Sequence, residues 1–493
     1  MKKELLLTFI SLIGALLYCW LFWSEGMGLN TLIFAAISLG LTWWQWPECR
    51  SQWLSKWIMA ALLLSAIWVV WHHSFLARTT HLIFFTLMIG ILQKEAIRFL
   101  VFGFILGFIG LFESPFRRMA ILLDLLPGLR MVQVIKRSQL ALYSLPLGIG
   151  LLFGFLYYQA NTGFAKALDW IWQLLGRPFN WGWDIGQFMT FLLGFMLLSA
   201  LLSSSALSWR VHQLEDKLPK FLIRQRKKRS MGNTLALKHE YRMGFITFAI
   251  LNGLLFFANM ADLRYVWMNY GGASPQELSQ YVHAGTYLLI LSILLAQGVI
   301  LWFFRGNLNF YPAQEGLHSM AYVWLAQNAM LALSVGLRNW QYVMHYGLAY
   351  KRLGVFWFLA LVLLGLFLLY RKVEYKFSLF HLLKQNSAVF FSSLLLLSAI
   401  NWDVLITKYN IRQHTQTTID AHFLYHWVSD KNLYLLDQHF HLLAAKSNMS
   451  APDLQDALTD KYQRFERRLA SRTWRSWNWA DEKNRRYFAK NRN

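Results

Sequence analysis

Cysteine is nearly absent from this chain, and the placement of its two cysteines excludes a disulfide framework. Cys19 lies inside the first apolar run and Cys49 in a short loop, so both are predicted to be free thiols. Common enzyme motifs are also lacking: there is no phosphate-binding glycine loop, no Gly-x-Ser-x-Gly nucleophile motif and no Cys-x-x-Cys pair. We therefore predict no cofactor, and no motif by itself assigns a reaction.

Acidic residues are scarce as well. The chain has 25 Asp and Glu residues against 48 Lys and Arg residues, which gives a formal net charge of +23. Such a charge is compatible with nucleic-acid binding, but there is no zinc-finger or RNA-binding motif, and most cations occupy short loops between apolar runs or the C-terminal segment. We therefore predict no nucleic-acid partner and attribute most of the cations to membrane topology.

Apolar sequence, in contrast, is abundant. Hydrophobic residues make up 56% of the chain and aromatic residues 17%, and the mean hydropathy is +0.33. The apolar residues are collected in runs of about 20, the length that an α-helix needs to cross the hydrocarbon core. The sequence therefore predicts an all-α integral membrane bundle of about 11 to 13 transmembrane helices with a small helical C-terminal tail, in contact with membrane lipids.

The order of apolar runs and charged loops divides the chain into six regions. Short loops rich in Lys and Arg face the cytoplasm, so residues 210–243 are predicted to be cytoplasmic. The parity of the later crossings then places the loop with Arg338 and Arg352 on the outer face, whereas the side of the N-terminus stays open. The predicted regions are N-terminal transmembrane helices (1–112), an interfacial amphipathic segment (113–139), a transmembrane pair with a Trp-rich loop (140–209), the basic loop (210–243), a transmembrane core (244–412) and an extramembrane tail (413–493).

Several polar side chains of the transmembrane core stand at the ends of apolar runs. Three cations in one short outer loop oppose the positive-inside tendency, so we expect Asp403 or an anionic ligand to balance them. We hypothesise that the side chains converge on a phosphate-bearing lipid or glycan; interfacial ion pairs and snorkelling side chains are the simpler alternative. The candidate ligand-binding residues are Arg338, Asn339, Tyr346, Lys351, Arg352, Asn401, Asp403, Lys408, Tyr409 and Asn410.

Three classes of function are compatible with this cluster. We rank first a non-enzymatic protein that binds, senses or transports an anionic lipid or lipid-linked glycan at its outer face. The alternative is a membrane transferase that acts on a lipid phosphate, with Asp403 as the acid/base. In the third class, a sensor or assembly component, the polar residues only pack, against the chain itself or against membrane-protein partners.

Other amides stand inside the apolar runs. Asn252, Gln327 and Asn328 carry polar groups that lipid cannot satisfy, and leaving them unpaired in hydrocarbon costs several kcal/mol. We therefore expect these three intramembrane residues to face other helices.

The tail contains a weak metal-binding pattern and a stronger helix signal. His422 and His426 are four residues apart and Asp420 is close to them, but the interleaved aromatic residues favour simple packing, so we predict no metal site. Ser450 followed by Asp453 is typical of a helix N-cap, and the following apolar stripe predicts an amphipathic helix. Residues 433–446 are predicted to form one short helix before it.

Several blocks of the second half resemble a known family. The blocks YVHAGTYLLILSILLA, FFRGNLNFY, QNAMLALSVGLRNWQYVMHYGLAYKRLGV and INWDVLITKYNI are similar in sequence and order to the bacterial membrane proteins of the domain of unknown function 4173 family. The resemblance covers roughly residues 251–430 and implies a multi-pass protein of the bacterial inner membrane whose activity is uncharacterised. Asp420, Ser429 and Asp430 fit the family pattern, whereas His422, His426 and Lys431 do not.

Overall fold

The structure is a computed structural model, and it describes residues 2–93, 97–123, 184–224, 233–268, 286–413 and 418–491, with a few isolated positions between 150 and 173. Within these ranges the chain is helical and has no β-strand beyond two isolated bridges, so the predicted all-α class is confirmed. The chain forms two compact units. The first comprises Met1–Asp216, Leu394–Ile400 and Arg464–Asn493, and the second comprises Lys217–Ser393 and Asn401–Gln463.

The α-helices are numbered along the described part of the chain. They are α1 (Lys2–Phe22), α2 (Leu29–Gln45), α3 (Trp53–His72), α4 (Phe75–Ile91), α5 (Leu100–Leu123), α6 (Ile185–Leu201), α7 (Ser208–Lys217), α8 (Asn233–Asp262), α9 (Thr286–Phe303), α10 (Gln314–Tyr346), α11 (Tyr350–Glu374), α12 (Leu379–Ser398), α13 (Trp402–Arg412), α14 (Leu433–Gln438), α15 (Phe440–Lys446), α16 (Ala451–Ala470) and α17 (Trp479–Asn491). Two π-helical segments, Leu263–Met268 and Phe423–Trp427, and four 3₁₀ turns complete the elements of the described ranges.

Six of these helices are long and apolar enough to cross a membrane: α1, α3, α5, α8, α10 and α11. Helices α12 and α13, bent by 64° at their junction, add a seventh if they form one broken span, and α4, α6 and α9 are shorter apolar helices. The protein is therefore a multi-pass membrane protein. The predicted total of about 11 to 13 spans stays a prediction, because this count covers only the described ranges and most of residues 140–183, the first part of the predicted transmembrane pair, lies outside them.

In the first unit, α4 and α5 pack backbone against backbone through glycines. A Cβ atom on Gly90 would overlap the carbonyl oxygen of Gly103, and one on Gly107 would overlap that of Thr86. Small residues allow this close approach. The resulting van der Waals contacts stabilise the helix pair, because lipid provides no hydrophobic driving force between helices.

The end of α5 differs from the prediction. Residues 113–123 were expected to begin an interfacial segment, but they continue the apolar helix through Pro115 without a break. Arg118, which belongs to these residues, is 1% exposed; its guanidinium donates to Glu4 Oε2 at 2.6 Å and to the Leu202 carbonyl at 2.8 Å. A distant counter-charge therefore makes burial of this arginine compatible with the helix bundle. Residues 124–139 of the predicted segment lie outside the described ranges.

In the second unit, helices extend beyond the apolar runs that predicted them. Helix α10 has 33 residues, more than the run of about 20 that crosses the hydrocarbon core, and α8 begins at Asn233, inside the predicted basic loop. Hydropathy detects the part of a helix in hydrocarbon, whereas the hydrogen-bond ladder continues into polar residues at both ends. The hydrophobic core of this unit includes Phe248 of α8, Ile300 of α9 and Val335 of α10.

The tail is helical. Ser450 accepts a hydrogen bond from the Asp453 amide at 3.3 Å, and Leu454, Leu458 and Phe465 are the buried stripe of α16. The segment expected as one helix at 433–446 is two helices, α14 and α15, divided at His439.

Candidate ligand-binding site

The candidate site lies in the second unit, around the connection between α10 and α11. Gly347 has a φ of +76°, a conformation that only glycine adopts without strain. The Asn410 amide bridges the next residue: its Oδ1 accepts from the Leu348 amide at 2.6 Å and its Nδ2 donates to the Leu348 carbonyl at 3.0 Å. These two hydrogen bonds attach the connection to α13. The same side chain favours glycine at position 347, because a Cβ there would lie 2.6 Å from Asn410 Oδ1.

Arg352 stabilises the same connection. Its Nη1 donates to the carbonyl oxygens of Tyr346, at 2.8 Å, and of Gly347, and its guanidinium lies 4.3 Å from the centre of the Tyr342 ring. The Asn339 amide donates to the Arg352 carbonyl at 3.0 Å. The structure thus brings together three of the candidate ligand-binding residues, Arg352, Asn339 and Tyr346. Much of their hydrogen-bonding capacity is used within the chain.

Asp403 is buried in the first turn of α13. Its side chain accepts hydrogen bonds from the Tyr350 hydroxyl, at 2.5 Å, and from the Ser429 hydroxyl, and the residue is only 7% exposed. These contacts join the start of α11, the start of α13 and the tail. A carboxylate held on both oxygens is well suited to organising these three segments.

An open groove of about 770 Å³ runs along the exposed side of α13. Lys408 and Arg412 line it from positions four residues apart, so they lie on the same face of the helix. Asn401 caps α13 through a 3.3 Å bond from the Val404 amide and also lines the groove. The other described lining residues are Trp340, Met344, Val404, Leu405, Tyr409 and Gln413, and none of the described lining residues is acidic.

A smaller cavity of about 120 Å³ adjoins the groove, with Met344 and Gln413 in the lining of both. Arg352, Asn410 and Asp420 line this cavity. Gln413 donates to Met344 Sδ at 2.8 Å, while its buried Oε1 has no hydrogen-bond partner among the described residues. The Gln413 amide, which is only partly hydrogen-bonded, therefore lies in the lining that the two cavities share.

Two predicted residues lie apart from these cavities. Arg338 forms an ion pair with Asp262 of α8, and Lys351 is exposed; neither is among the described lining residues. The cations of the predicted cluster therefore do not converge at one point.

The amides inside the spans meet across α8 and α10. Gln327 donates to Asn252 Oδ1 at 3.0 Å, and Asn252 donates to the Met320 carbonyl at 3.0 Å. Asn259, which the sequence did not single out, donates to the Gln327 carbonyl at 3.1 Å. Asn328 is buried but bonds within its own helix, to the Trp324 carbonyl at 2.7 Å.

Comparison with protein families assigns the chain to a group without a known activity. Residues 58–439 match the model described as Domain of unknown function (DUF4153). The chain belongs to the DUF4153 family. Neither a curated protein nor a solved structure matches it.

The DUF4153 match refines the resemblance drawn from the sequence. The more specific likeness to the 4173 family is not confirmed, whereas a domain of unknown function is. The DUF4153 region contains the groove, the smaller cavity and the amides of α8 and α10, and it leaves α1, α2, α15, α16 and α17 outside. The candidate site is therefore part of the DUF4153 region, and the family description adds no residue roles to it.

The histidines of this DUF4153 chain do not form a metal-ligand group in the described ranges. The His422 and His426 rings lie 4.6 Å apart between centroids, at the start of and within the π-helical segment. Asp420 Oδ1 accepts from the Phe423 amide at 3.0 Å. Among the residues described, no three His, Cys, Asp or Glu side chains come together as a metal site needs.

Sequence reasoning missed several residues of the site. Arg412 had a local signal, because it follows Lys408 by one helical turn. Trp340 and Gln413 had none, since their place in the groove depends on how α10 and α13 pack. Tyr350 and Ser429 likewise reach Asp403 only in three dimensions.

Proposed function

We propose that this protein is a non-enzymatic component of the bacterial inner membrane that binds the phosphate of an anionic lipid or lipid-linked glycan at its outer face, in the groove along α13. Binding would serve a sensing or transport role. The observation that carries the proposal is the pair Lys408 and Arg412, exposed on one helix face in an open groove.

The lining supports a phosphate on an apolar chain. Arg412 offers the planar fork that grips two phosphate oxygens, and Lys408 adds a second positive charge. Trp340, Val404 and Leu405 give the groove an apolar side that fits acyl or prenyl chains, and tryptophan favours the membrane interface. Of the predicted ligand set, Asn401, Lys408 and Tyr409 line this groove, so the proposal rests on them and on Arg412.

The transferase alternative with Asp403 as acid/base has less support. Asp403 is buried, bonded to two hydroxyl groups and not among the described lining residues of either cavity. A general acid or base must come within hydrogen-bond reach of the group that it protonates or deprotonates. We therefore assign Asp403 a structural role.

Lipid binding by purified protein in detergent tests the proposal. We expect phosphatidylglycerol to be retained in native mass spectra in preference to phosphatidylcholine, and the double variant Lys408→Ala, Arg412→Ala to lose about tenfold in affinity or more, since each charge-assisted hydrogen bond contributes about 1.5 to 3 kcal/mol.

The matched control removes the same charge elsewhere. Lys351→Ala, Lys446→Ala changes two exposed cations outside both cavities, so its lipid retention should equal that of the unaltered protein. Equal loss in both double variants would mean that only net charge matters and would refute a groove site. Retention of a prenyl-phosphate glycan over phosphatidylglycerol would identify the glycan as the source of the phosphate.

A further inference from the structure

The C-terminal segment of the first unit packs against the ends of two membrane-crossing helices. The Trp474 ring meets the ring of Trp20, in the last turn of α1, with the centroids 6.1 Å apart. Trp479, the first residue of α17, stacks on Trp71, in the last turn of α3, at 6.0 Å. Trp477 meets Trp479 edge-on at 6.4 Å. We call these five residues the tryptophan cluster.

The contacts of the cluster place it at one face of the membrane. Trp474 and Trp479 are five residues apart, so at most about 18 Å separates them, less than the thickness of the hydrocarbon core, about 30 Å. The ends of α1 and α3 that they contact therefore lie at the same face. Four rings of the cluster remain 40% to 55% exposed, those of Trp20, Trp71, Trp474 and Trp477. Exposed tryptophan at the end of a membrane-crossing helix lies at headgroup depth, so the C-terminal segment reaches this depth too.

Helix α17 adds a row of cations to this surface. Lys483, Arg486 and Lys490 follow Trp479 by four, seven and eleven residues, so all four side chains share one face of the helix. The three cations are exposed, and the Arg486 guanidinium lies 5.2 Å from the centre of the Trp479 ring. On the opposite face, Phe488 is buried. The row of cations therefore begins at the tryptophan cluster and lies on the outer surface of the unit.

The charge of this segment is strongly positive. Residues 471–491 contain six Lys and Arg residues and two acidic residues. Both acidic side chains have partners within the protein: Asp481 pairs with Arg468 at 2.7 Å, and Glu482 pairs with Arg485 and Arg486. Cations beside tryptophan at headgroup depth suit an anionic lipid surface, because lipid phosphates attract the cations while the rings occupy the boundary with the acyl chains.

We propose that the C-terminal segment, residues 473–491, binds the headgroups of anionic lipids around the ends of α1 and α3. The tryptophan cluster lies between headgroups and acyl chains, and Lys483, Arg486 and Lys490 contact lipid phosphates. The segment is then a peripheral membrane-binding element of the first unit. It is separate from the groove of the second unit and does not depend on the function proposed for that groove.

Amide hydrogen exchange of the purified full chain tests this contact. Exchange of residues 479–491 is compared in nanodiscs of phosphatidylcholine alone and in nanodiscs that also contain phosphatidylglycerol. We expect exchange to be slower by about fivefold or more in the anionic bilayer, because lipid that binds only the docked segment lowers the population of its open state. The difference should disappear in about 1 M NaCl, where the Debye length is about 3 Å. Equal exchange in the two bilayers, the result expected if this surface serves a protein partner, would overturn the proposal.

Two double variants locate the effect. Lys483→Gln, Lys490→Gln removes two exposed cations of the row and leaves the ion pairs of Glu482 in place, so it should lose most of the difference between the bilayers. Lys2→Gln, Lys3→Gln is the matched control, since it removes the same charge from the exposed first turn of α1, at the other membrane face, and should keep the full difference. Equal loss in both double variants would mean that only net charge matters and would refute the assignment.

The groove variant Lys408→Ala, Arg412→Ala separates this proposal from the lipid site of the second unit. It should keep the difference in exchange of residues 479–491 between the two bilayers, whatever its own lipid retention. Loss of that difference would show that lipid in the groove protects the segment and would overturn direct binding by the C-terminal segment.

Discussion

Two helix pairs of this protein are held together by different means. In the first unit, α4 and α5 meet through glycines, and the Gly103 carbonyl oxygen of α5 occupies the place that a side chain at position 90 of α4 would take. In the second unit, α8 and α10 meet through amides and an ion pair. Because lipid is as apolar as the side chains, neither pair gains from excluding water. One pair depends on close fit and the other on hydrogen bonds, so they should fail under different substitutions.

Adding atoms to the glycine contact should have the largest effect. Gly90→Val places a Cβ on the Gly103 carbonyl oxygen, and two backbones must separate to admit it. We expect a loss of about 3 kcal/mol or more and little folded protein in size-exclusion chromatography. Gly110→Ala is the matched control, since its Cβ would lie 3.6 Å from Ile89 Cγ2, an ordinary contact. Similar yields of the two variants would contradict close backbone packing.

Removing a hydrogen bond between α8 and α10 should have a smaller effect. Gln327→Leu keeps the size of the side chain but leaves Asn252 Oδ1 without its donor. We expect destabilisation of about 1 kcal/mol in thermal or denaturant unfolding, the usual scale for a bond between membrane helices. Asn328→Leu should cost less, because the Trp324 carbonyl keeps its helical partner. The reverse order would show that the contact between α8 and α10 does not depend on these amides.

A polar contact outside the spans should have the smallest effect, and it should depend on pH. Glu25 accepts from the Thr473 amide at 3.2 Å and from the Ser476 hydroxyl, and it pairs with Arg475 at 2.9 Å. Burial raises the pKa of the Glu25 carboxyl, but the hydrogen bonds from Ser476 and Thr473 and the charge of Arg475 outweigh burial and hold the pKa below its usual value.

A carboxyl with a lowered folded pKa stabilises the folded state above its unfolded pKa, and this contribution is lost as pH falls through the folded value. Amide exchange of residues 473–477, corrected for the intrinsic rate, should therefore accelerate below about pH 4. Glu25→Gln should exchange faster already at pH 7, by an amount equivalent to at most about 1 kcal/mol. Glu48→Gln, in another loop of the same unit, is the control. A pH profile unchanged in Glu25→Gln would exclude Glu25 as the titrating group.

Local signals in the sequence were enough for most helices. The apolar runs of α1, α3 and α11 and the cap at Ser450 each involve residues that are neighbours in the chain. Periodicity and capping depend on such neighbours, so they can be read without the fold.

Pairings between helices could not be predicted in this way. The sequence offered Asp403 or a ligand as the partner of the outer cations, whereas Arg338 pairs with Asp262, 76 residues earlier. Which residues face each other depends on the rotation and register of α8 and α10, which no local pattern specifies. The distant donors of Glu25 could not be predicted for the same reason, because Thr473 and Ser476 lie 448 and 451 residues away in the chain.

The attachment of Glu25 also has a consequence for biosynthesis. Thr473 lies 448 residues after Glu25, so the ribosome must add that length of chain before the carboxylate can meet its donors. At about 5 to 20 residues per second, this interval lasts roughly 20 to 90 seconds. The Glu25 carboxylate, in the loop between α1 and α2, therefore lacks these hydrogen-bond donors while all the intervening spans are inserted.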